Sequence, residues 1–340
     1  MSRDGDVLAV KHASRVDCGA LRRITVLRAL PGLGDMLCLV PALRSLRRGA
    51  PDARITLVGL ESSRWMLDRY PGLIDALIPV PYWPGVPEAA GAPESWPATR
   101  TAWSESFPDL ALQMHGSGCT SNQALLSLPA REHAGHHPSG TASPGSLFRP
   151  WPRTGRESDR LRGLAHWLGA PDAGCELAFP VWPRDTAAVR RLTAMDSPYA
   201  CVHPGASRSD RRWSLVNFSR VADQLVQRGL RTFITGSAAE QELAQTVVSG
   251  MKESADVVAG CTDLGALAAL LRGAQIVVSN DTGVGHLAAA VDAPAVVIFT
   301  TSDAERWAPQ PARRRRSVAG SESPAVDAVV RAVDDVMSHA

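Results

Sequence analysis

Short β-branched apolar runs alternate with helix-length segments twice over in this chain, and that alternation is the strongest limit on what it can fold into. In the first half, Ile24–Arg28, Arg54–Val58 and Leu110–Met114 read as strands, with helices predicted near Met36–Arg48 and Ser63–Arg69. The rhythm restarts at Tyr199–Val202. It continues through a helix at Leu215–Arg228, a strand at Thr232–Thr235, a helix at Glu240–Ser249 and a strand at Asp256–Val258. A helix at Leu264–Leu271 and strands at Gln275–Val278 and Ala295–Thr300 complete it. Strands joined by helical crossovers pair in parallel, because the chain must return over the sheet face before pairing again. The expected fold class is therefore α/β: two Rossmann-like domains whose parallel sheets face a central cleft.

Length agrees, since 340 residues exceed one ordinary core. The halves share no short period, so a solenoid is excluded. The expected divisions are a flexible leader over 1–20, an N-terminal domain over 21–180 and a C-terminal domain over 181–340, with the connection inside about 137–198. Breakers crowd His137–Thr154, and a helix is predicted at Glu157–Leu168. Pro79–Pro97, rich in Pro, Gly and Ala, reads as a loop or insertion that could serve as a lid, and Arg313–Arg316 as a solvated turn.

Apolar residues make up 45% of the chain and charged residues 21%, which excludes disorder. A formal net charge of +2 gives no footing for a nucleic-acid partner. Six scattered cysteines without a C-x-x-C pair suggest neither a zinc site nor a disulfide framework. With no run of about 18 apolar residues, a cytoplasmic protein is expected. Lysine occurs only at Lys11 and Lys252 against abundant Arg, Ala, Gly and Pro, a composition typical of a GC-rich bacterial genome such as an actinobacterium.

Three segments carry the chemistry. Ile276–Asn280 runs into Asp281-Thr-Gly-Val-Gly-His286 and then a small-residue helix, which sets a glycine turn and free helix N–H groups at the carboxyl end of a strand. Such a turn suits a diphosphate, with Thr282, Gly283 and His286 as candidates; the competing reading is a helix capped by Asp281. The loop His203-Pro-Gly-Ala-Ser-Arg-Ser-Asp-Arg-Arg-Trp213 also follows a strand, and Ser207, Arg211 and Arg212 could meet phosphate charge there. A merely solvated basic loop is the alternative. In Leu30-Pro-Gly-Leu-Gly-Asp35 the third glycine of a dinucleotide fingerprint is missing, with Leu37 in its place, so an oxidoreductase is a poor reading. Asp35 could be a general base or a plain helix cap.

Gly32-Leu-Gly-Asp35 with Pro41, His203-Pro-Gly-Ala-Ser207 leading to Arg211-Arg-Trp213, Gly236-x-x-x-Glu240, and Asp281-Thr-Gly-x-x-His286 occur in this order over about Ile24 to Phe299. Together they resemble glycosyltransferase family 9, the heptosyltransferases. The resemblance implies a GT-B fold and inverting, metal-independent transfer of a heptose or related sugar from a nucleotide diphosphate donor, ADP-sugar first and GDP-sugar second. No cofactor is implied. Asp35 matches the family's catalytic base. Ser207, Arg211, Arg212, Glu240, Asp281, Thr282, Gly283 and His286 fall on the donor side.

Arg211 stands where the family usually carries lysine, and Phe299-Thr-Thr-Ser-Asp303 replaces a frequent Phe-Gly-Pro-Thr. Acceptor-side candidates are Gly34, His115, Ser117 and Asn122. The acceptor would be a lipopolysaccharide core or a natural product, with no nucleic acid and with room for peripheral membrane contact. A sugar-nucleotide epimerase or hydrolase of the same fold, and an inactive nucleotide-binding homologue, are the alternatives. His133-x-x-His136-His137 has rough metal spacing without an acidic or Cys companion, and Asp4-Gly-Asp6 lies in the leader, so no metal site is expected.

Overall fold

The computed structural model describes residues 15–84, 86–192, 197–320 and 323–339. Its first half runs β1 (Arg23–Leu27), α1 (Leu33–Leu37), α2 (Val40–Gly49), β2 (Arg54–Gly59), α3 (Arg64–Arg69), β3 (Ala76–Pro79), α4 (Trp96–Ser106) and β4 (Leu110–Gln113). It ends with α5 (Ser121–Leu126), β5 (Glu132–His137), β6 (Phe148–Pro150) and α6 (Glu157–Leu168). The second half runs α7 (Pro183–Leu192), β7 (Tyr199–His203), α8 (Leu215–Gln227), β8 (Arg231–Ile234), α9 (Gln241–Ser249), β9 (Asp256–Val257) and α10 (Leu264–Gly273). Then come β10 (Ile276–Asn280), α11 (Gly283–Ala290), β11 (Ala295–Phe299), α12 (Ala304–Trp307), β12 (Arg315–Ala319) and α13 (Val326–Met337).

Each half builds a six-stranded parallel sheet, ordered β3-β2-β1-β4-β5-β6 and β12-β11-β10-β7-β8-β9. Counted within its own half, each sheet has the order 3-2-1-4-5-6. In such a sheet the order in which successive strands are laid down reverses between the first and fourth strands, and ligands bind in the crevice beyond the carboxyl ends there. The two crevices lie at β1/β4 and β7/β10. Both faces of each sheet are buried: Ile24, Val26 and Leu112 enter one core while Leu27 and Ala111 enter another, the period-2 alternation of a sheet covered on both sides. Val277 and Val278 divide in the same way between the two cores of the second sheet.

The halves meet at several points. Leu33 and Leu37 of α1 join the core of the second half. Arg69 grips Asp185 through two hydrogen bonds of 2.6 and 3.1 Å, and the Tyr70 hydroxyl donates to the Ala178 carbonyl at 2.6 Å.

The structure corrects several expectations. The helix expected over Met36–Arg48 is two helices, because Pro41 has no N–H to give the carbonyl four residues back and sits in the first turn of α2 instead. Residues 1–14, including Asp4 and Asp6, lie outside the described residues. In the rest of the expected leader two residues are anchored: Val16 N–H bonds the Leu168 carbonyl at 2.9 Å and Cys18 is buried, while Arg15, Asp17, Gly19 and Ala20 stay exposed. In the stretch after Pro79, Val80, Trp83, Val86 and Ala89 fill the outer core of the first sheet, and Glu88 reaches the cavity between the halves. Arg315 and Arg316 open β12 rather than a turn, paired with Asp292 and Asp335.

Candidate active site

A cavity of about 870 Å³ lies between the halves, walled by the loops after β1, β4, β7 and β10. Both sheet crevices therefore open into one space. Asp35, Gly34 and His115 reach it from the first half; Ser207, Arg211, Glu240, Asp281, Thr282, Gly283 and His286 reach it from the second. Arg212 does not line it: its Nε donates to the Ala206 carbonyl at 3.0 Å and braces the loop. Ser117 lies outside the wall, and Asn122 is buried, its amide donating to the His136 carbonyl at 2.8 Å.

Neither key aspartate is a helix cap. Gly32 is the N-cap of α1 and Asp35 stands three residues further in; Thr282, without a side-chain capping bond, is the N-cap of α11. The Asp281 carboxylate is buried, its Oδ2 has no hydrogen-bond partner, and Arg211 Nη1 lies 3.9 Å away. The expected basic loop is thus an ion pair facing a helix N-terminus, where free N–H groups and the dipole favour negative charge.

Asp35 is held from beneath by Arg28, a fully buried guanidinium. Its Nε donates to the Asp35 carbonyl at 2.9 Å, its Nη1 to the Met114 carbonyl at 2.6 Å, and its Nη2 lies 3.8 Å from Asp35 Oδ1. Burial raises the Asp35 carboxyl above the usual carboxylate range, and Arg28 only partly offsets it. Arg28 also faces Glu157 Oε1 at 3.2 Å, and Glu157 Oε2 meets Arg306 Nη2 at 3.0 Å. Burial alone would raise Glu157; the two arginines outweigh it and hold it low.

His286 does not reach back over its own turn. Its ring lies across the cleft on Gly34, with Nδ1 3.9 Å from Cys38 Sγ, and burial pushes its pKa down. A Cβ at Gly34 would stand 2.5 Å from the ring, and one at Gly283 would stand 2.7 Å from Leu33 Cβ. Bare glycine backbone lets the halves come this close. Gly34→Ala is expected to wedge them apart, lowering kcat at least about tenfold while ADP affinity changes little, as a displacement of about 1 Å at a reacting centre does. Parallel turnover and calorimetric measurements check this.

In the first half, the Ala29 N–H donates to His115 Nδ1 at 3.2 Å, which assigns the ring proton to Nε2, 3.3 Å from Glu88 Oε2. Burial lowers the His115 pKa against the pull of Glu88. In the second half Glu240 accepts from Ser237 N–H and Oγ, both at 2.8 Å, and its carboxylate stands over the Gly205 backbone. Burial would raise Glu240, but those bonds hold it low.

The unusual Thr300-Thr-Ser-Asp303 has a definite job. Both threonine hydroxyls donate to the Asp210 carbonyl, at 2.9 and 3.1 Å, and Asp303 caps α12, which carries Arg306 and Trp307 to the cavity. His133, His136 and His137 alternate along β5. Among the described residues no cluster of three or more His, Cys, Asp or Glu side chains could hold a metal ion.

A family model, glycosyltransferase family 9 (heptosyltransferase), matches residues 160–332, just over half of the chain. The chain belongs to glycosyltransferase family 9. It is 34% identical over 104 residues to lipopolysaccharide heptosyltransferase 1 of Pseudomonas aeruginosa, and 26% over 158 residues to lipopolysaccharide heptosyltransferase 2 of Salmonella typhimurium. These segments cover 30% and 42% of the chain and 29% and 45% of the relatives. The fold matches the crystal structure of a family 9 glycosyl transferase from Veillonella parvula, with a TM-score of 0.80 at 19% identity over 96% of this chain and 100% of the other. It also matches an E. coli heptosyltransferase with ADP, with a TM-score of 0.68 at 20% identity over 94% and 99%. The order of elements and the facing sheets are those of the GT-B heptosyltransferases.

Sequence reasoning missed Arg28, Glu88, Glu157, Asn280, Arg306 and Trp307. Arg28, a charged residue closing the predicted apolar strand Ile24–Arg28, offered a signal; the others come together only through the fold. No helix among the described residues is long and apolar enough to cross a membrane.

Proposed function

We propose that the chain is an inverting, metal-independent glycosyltransferase that moves a heptose or related sugar from a nucleotide diphosphate donor to an acceptor hydroxyl. The observation that carries the reading is the opposition, across one cavity, of Asp35 on the first half to Arg211 and the α11 N-terminus on the second. Asp35 takes the proton of the acceptor hydroxyl as that oxygen attacks the anomeric carbon from the face opposite the diphosphate. Arg211, Ser207 and the N–H groups around Thr282–Gly283 meet the charge growing on the leaving diphosphate, the work a divalent cation would otherwise do. No cofactor enters the scheme.

Asp281, whose Oδ2 faces Arg211 at 3.9 Å, suits holding that arginine towards the diphosphate, and Glu240 beside Gly205 suits the nucleoside. The acceptor, a lipopolysaccharide core or a natural product, would approach past His115 and Glu88. Calorimetric titration with ADP, GDP, UDP and dTDP tests the donor assignment. ADP is expected to bind best, by about 1.4 kcal/mol or more over UDP and dTDP, a factor of ten. Equal affinities would remove the preference. Incubation with donor alone should leave the sugar nucleotide intact; its consumption would favour a hydrolase or epimerase.

A further inference from the structure

Glu157 and Arg306 lie on opposite halves of the molecule, yet they belong to one chain of charges that ends at Asp35. Arg306 of α12 meets Glu157 Oε2 through Nη2 at 3.0 Å and Nε at 3.1 Å; Glu157 Oε1 meets Arg28 at 3.2 Å; Arg28 holds the Asp35 carbonyl and faces its carboxylate. Glu157 is 1% exposed, and Arg28 is fully enclosed. The contact recurs around α6: Glu305 Oε1 accepts the Gly155 N–H at 3.2 Å, and the Gln310 amide donates to both Asp159 oxygens at 3.0 and 3.1 Å. The α12 region is thus docked on the first turn of α6 by three side chains.

A buried carboxylate between two arginines adds little to stability over a well-packed apolar side chain, so stability does not explain its presence. Its geometry does. Without Glu157, Arg28 would have the Asp35 carboxylate as its sole anionic partner and would hold it as a tight, weakly basic ion pair. With Glu157 in place the guanidinium is shared, and Asp35 Oδ1 stays 3.8 Å from it. Arg306, carried by the second half, reaches Glu157 across the junction of the halves.

We propose that Glu157 and Arg306 are positioning residues that tie the basicity and aim of Asp35 to the docking of the C-terminal half on α6. The proposal rests on Asp35 being the base. The charged and titratable groups facing Asp35 are Arg28 on β1, Glu157 on α6, His286 on α11 and Arg306 on α12. Glu157 raises the Asp35 pKa, and Arg28, His286 and Arg306 lower it. Removing Glu157 and removing Arg306 should therefore move the acid limb of kcat/KM in opposite directions, which loss of structure would not do.

The experiment is a pH profile of kcat/KM for the full chain and for Glu157→Gln, Arg306→Met, Arg306→Lys and Asp35→Asn, with ADP titrations to show that each variant is folded. Glu157→Gln should shift the acid limb down by about half a pH unit or more, and Arg306→Met should shift it up by a similar amount. Arg306→Lys should restore most of the shift. ADP affinity should stay within about threefold throughout, since a positioning residue does not touch the donor. Limbs that stay in place, or that move the same way in both variants, overturn the proposal. So does an Arg306→Met variant that only weakens the donor, which would make Arg306 a phosphate ligand. If Glu157→Gln does not fold, Arg306→Met and its lysine rescue still decide. Failure of the base reading looks different: Asp35→Asn would then turn over normally.

Discussion

Asp35→Asn should lower kcat by about a hundred- to ten-thousandfold, the range for removing a positioned general base, while ADP still binds. The variant is nearly isosteric, keeps the backbone bond from Arg28 to the residue-35 carbonyl, and leaves Arg28 its partner Glu157. The site should stay assembled and lose only its proton acceptor. In the unchanged chain kcat/KM should rise with pH through the Asp35 pKa, because the base works ionised. Burial raises that pKa, so the acid limb should lie above the value near 4 of an ordinary aspartate.

Stability should respond with the opposite sign. A carboxyl whose folded pKa is raised holds its proton in the folded state after the unfolded chain has released it. Stability therefore falls as pH rises between the two values and stays lower above them. Asp35→Asn removes that burden, so the melting temperature at neutral pH should hold or increase. A variant that loses both activity and stability would mean Asp35 is structural. One that keeps normal turnover would remove it from the mechanism.

The sequence made the fold legible where the signal was local. A strand was expected at Gln275–Val278 with a small-residue helix soon after Asp281, and β10 and α11 stand there; the glycine turn between them read as an anion site or as a capped helix. Asp35 stood out as a candidate for the same reason: a breaker-bounded turn leads into the first turn of α1, which carries it. Of the four edge strands only β9 was legible, expected at Asp256–Val258 and found at Asp256–Val257. β3, β6 and β12 sit at or beside Pro and Arg, as at Pro79, Pro150 and Arg315, and edge strands need no clean apolar alternation. The groups beneath the site were hidden for another reason. Glu157 and Arg306 are 149 residues apart. Each reads alone as an ordinary charged helix residue, and only the docking of the two halves makes them neighbours of Arg28.

Asn280, the last residue of β10, should matter as much to the donor site as Asp35 does to the chemistry. It is fully buried; its amide donates to the Pro204 and Gly205 carbonyls at 2.8 and 3.2 Å, and its Oδ1 accepts the Trp213 N–H at 2.9 Å. One side chain thereby ties both ends of the β7 loop, which carries Ser207 and Arg211, to the strand that delivers Asp281 and Thr282. Asn280→Ala would leave three buried backbone groups without partners, each costing about 1–3 kcal/mol if water cannot reach it. With partial relaxation the expected loss is about 3 kcal/mol of stability, together with at least a tenfold rise in the ADP Kd. Asn280→Asp should do no better. It keeps an acceptor for Trp213 but turns a carboxylate oxygen towards two carbonyls. Thermal melts and calorimetric titration of both variants check this. Normal ADP affinity in Asn280→Ala would show that the β7 loop holds its shape without the tie. The donor site would then rest on the Thr300 and Thr301 hydroxyls that grip the Asp210 carbonyl from the other side.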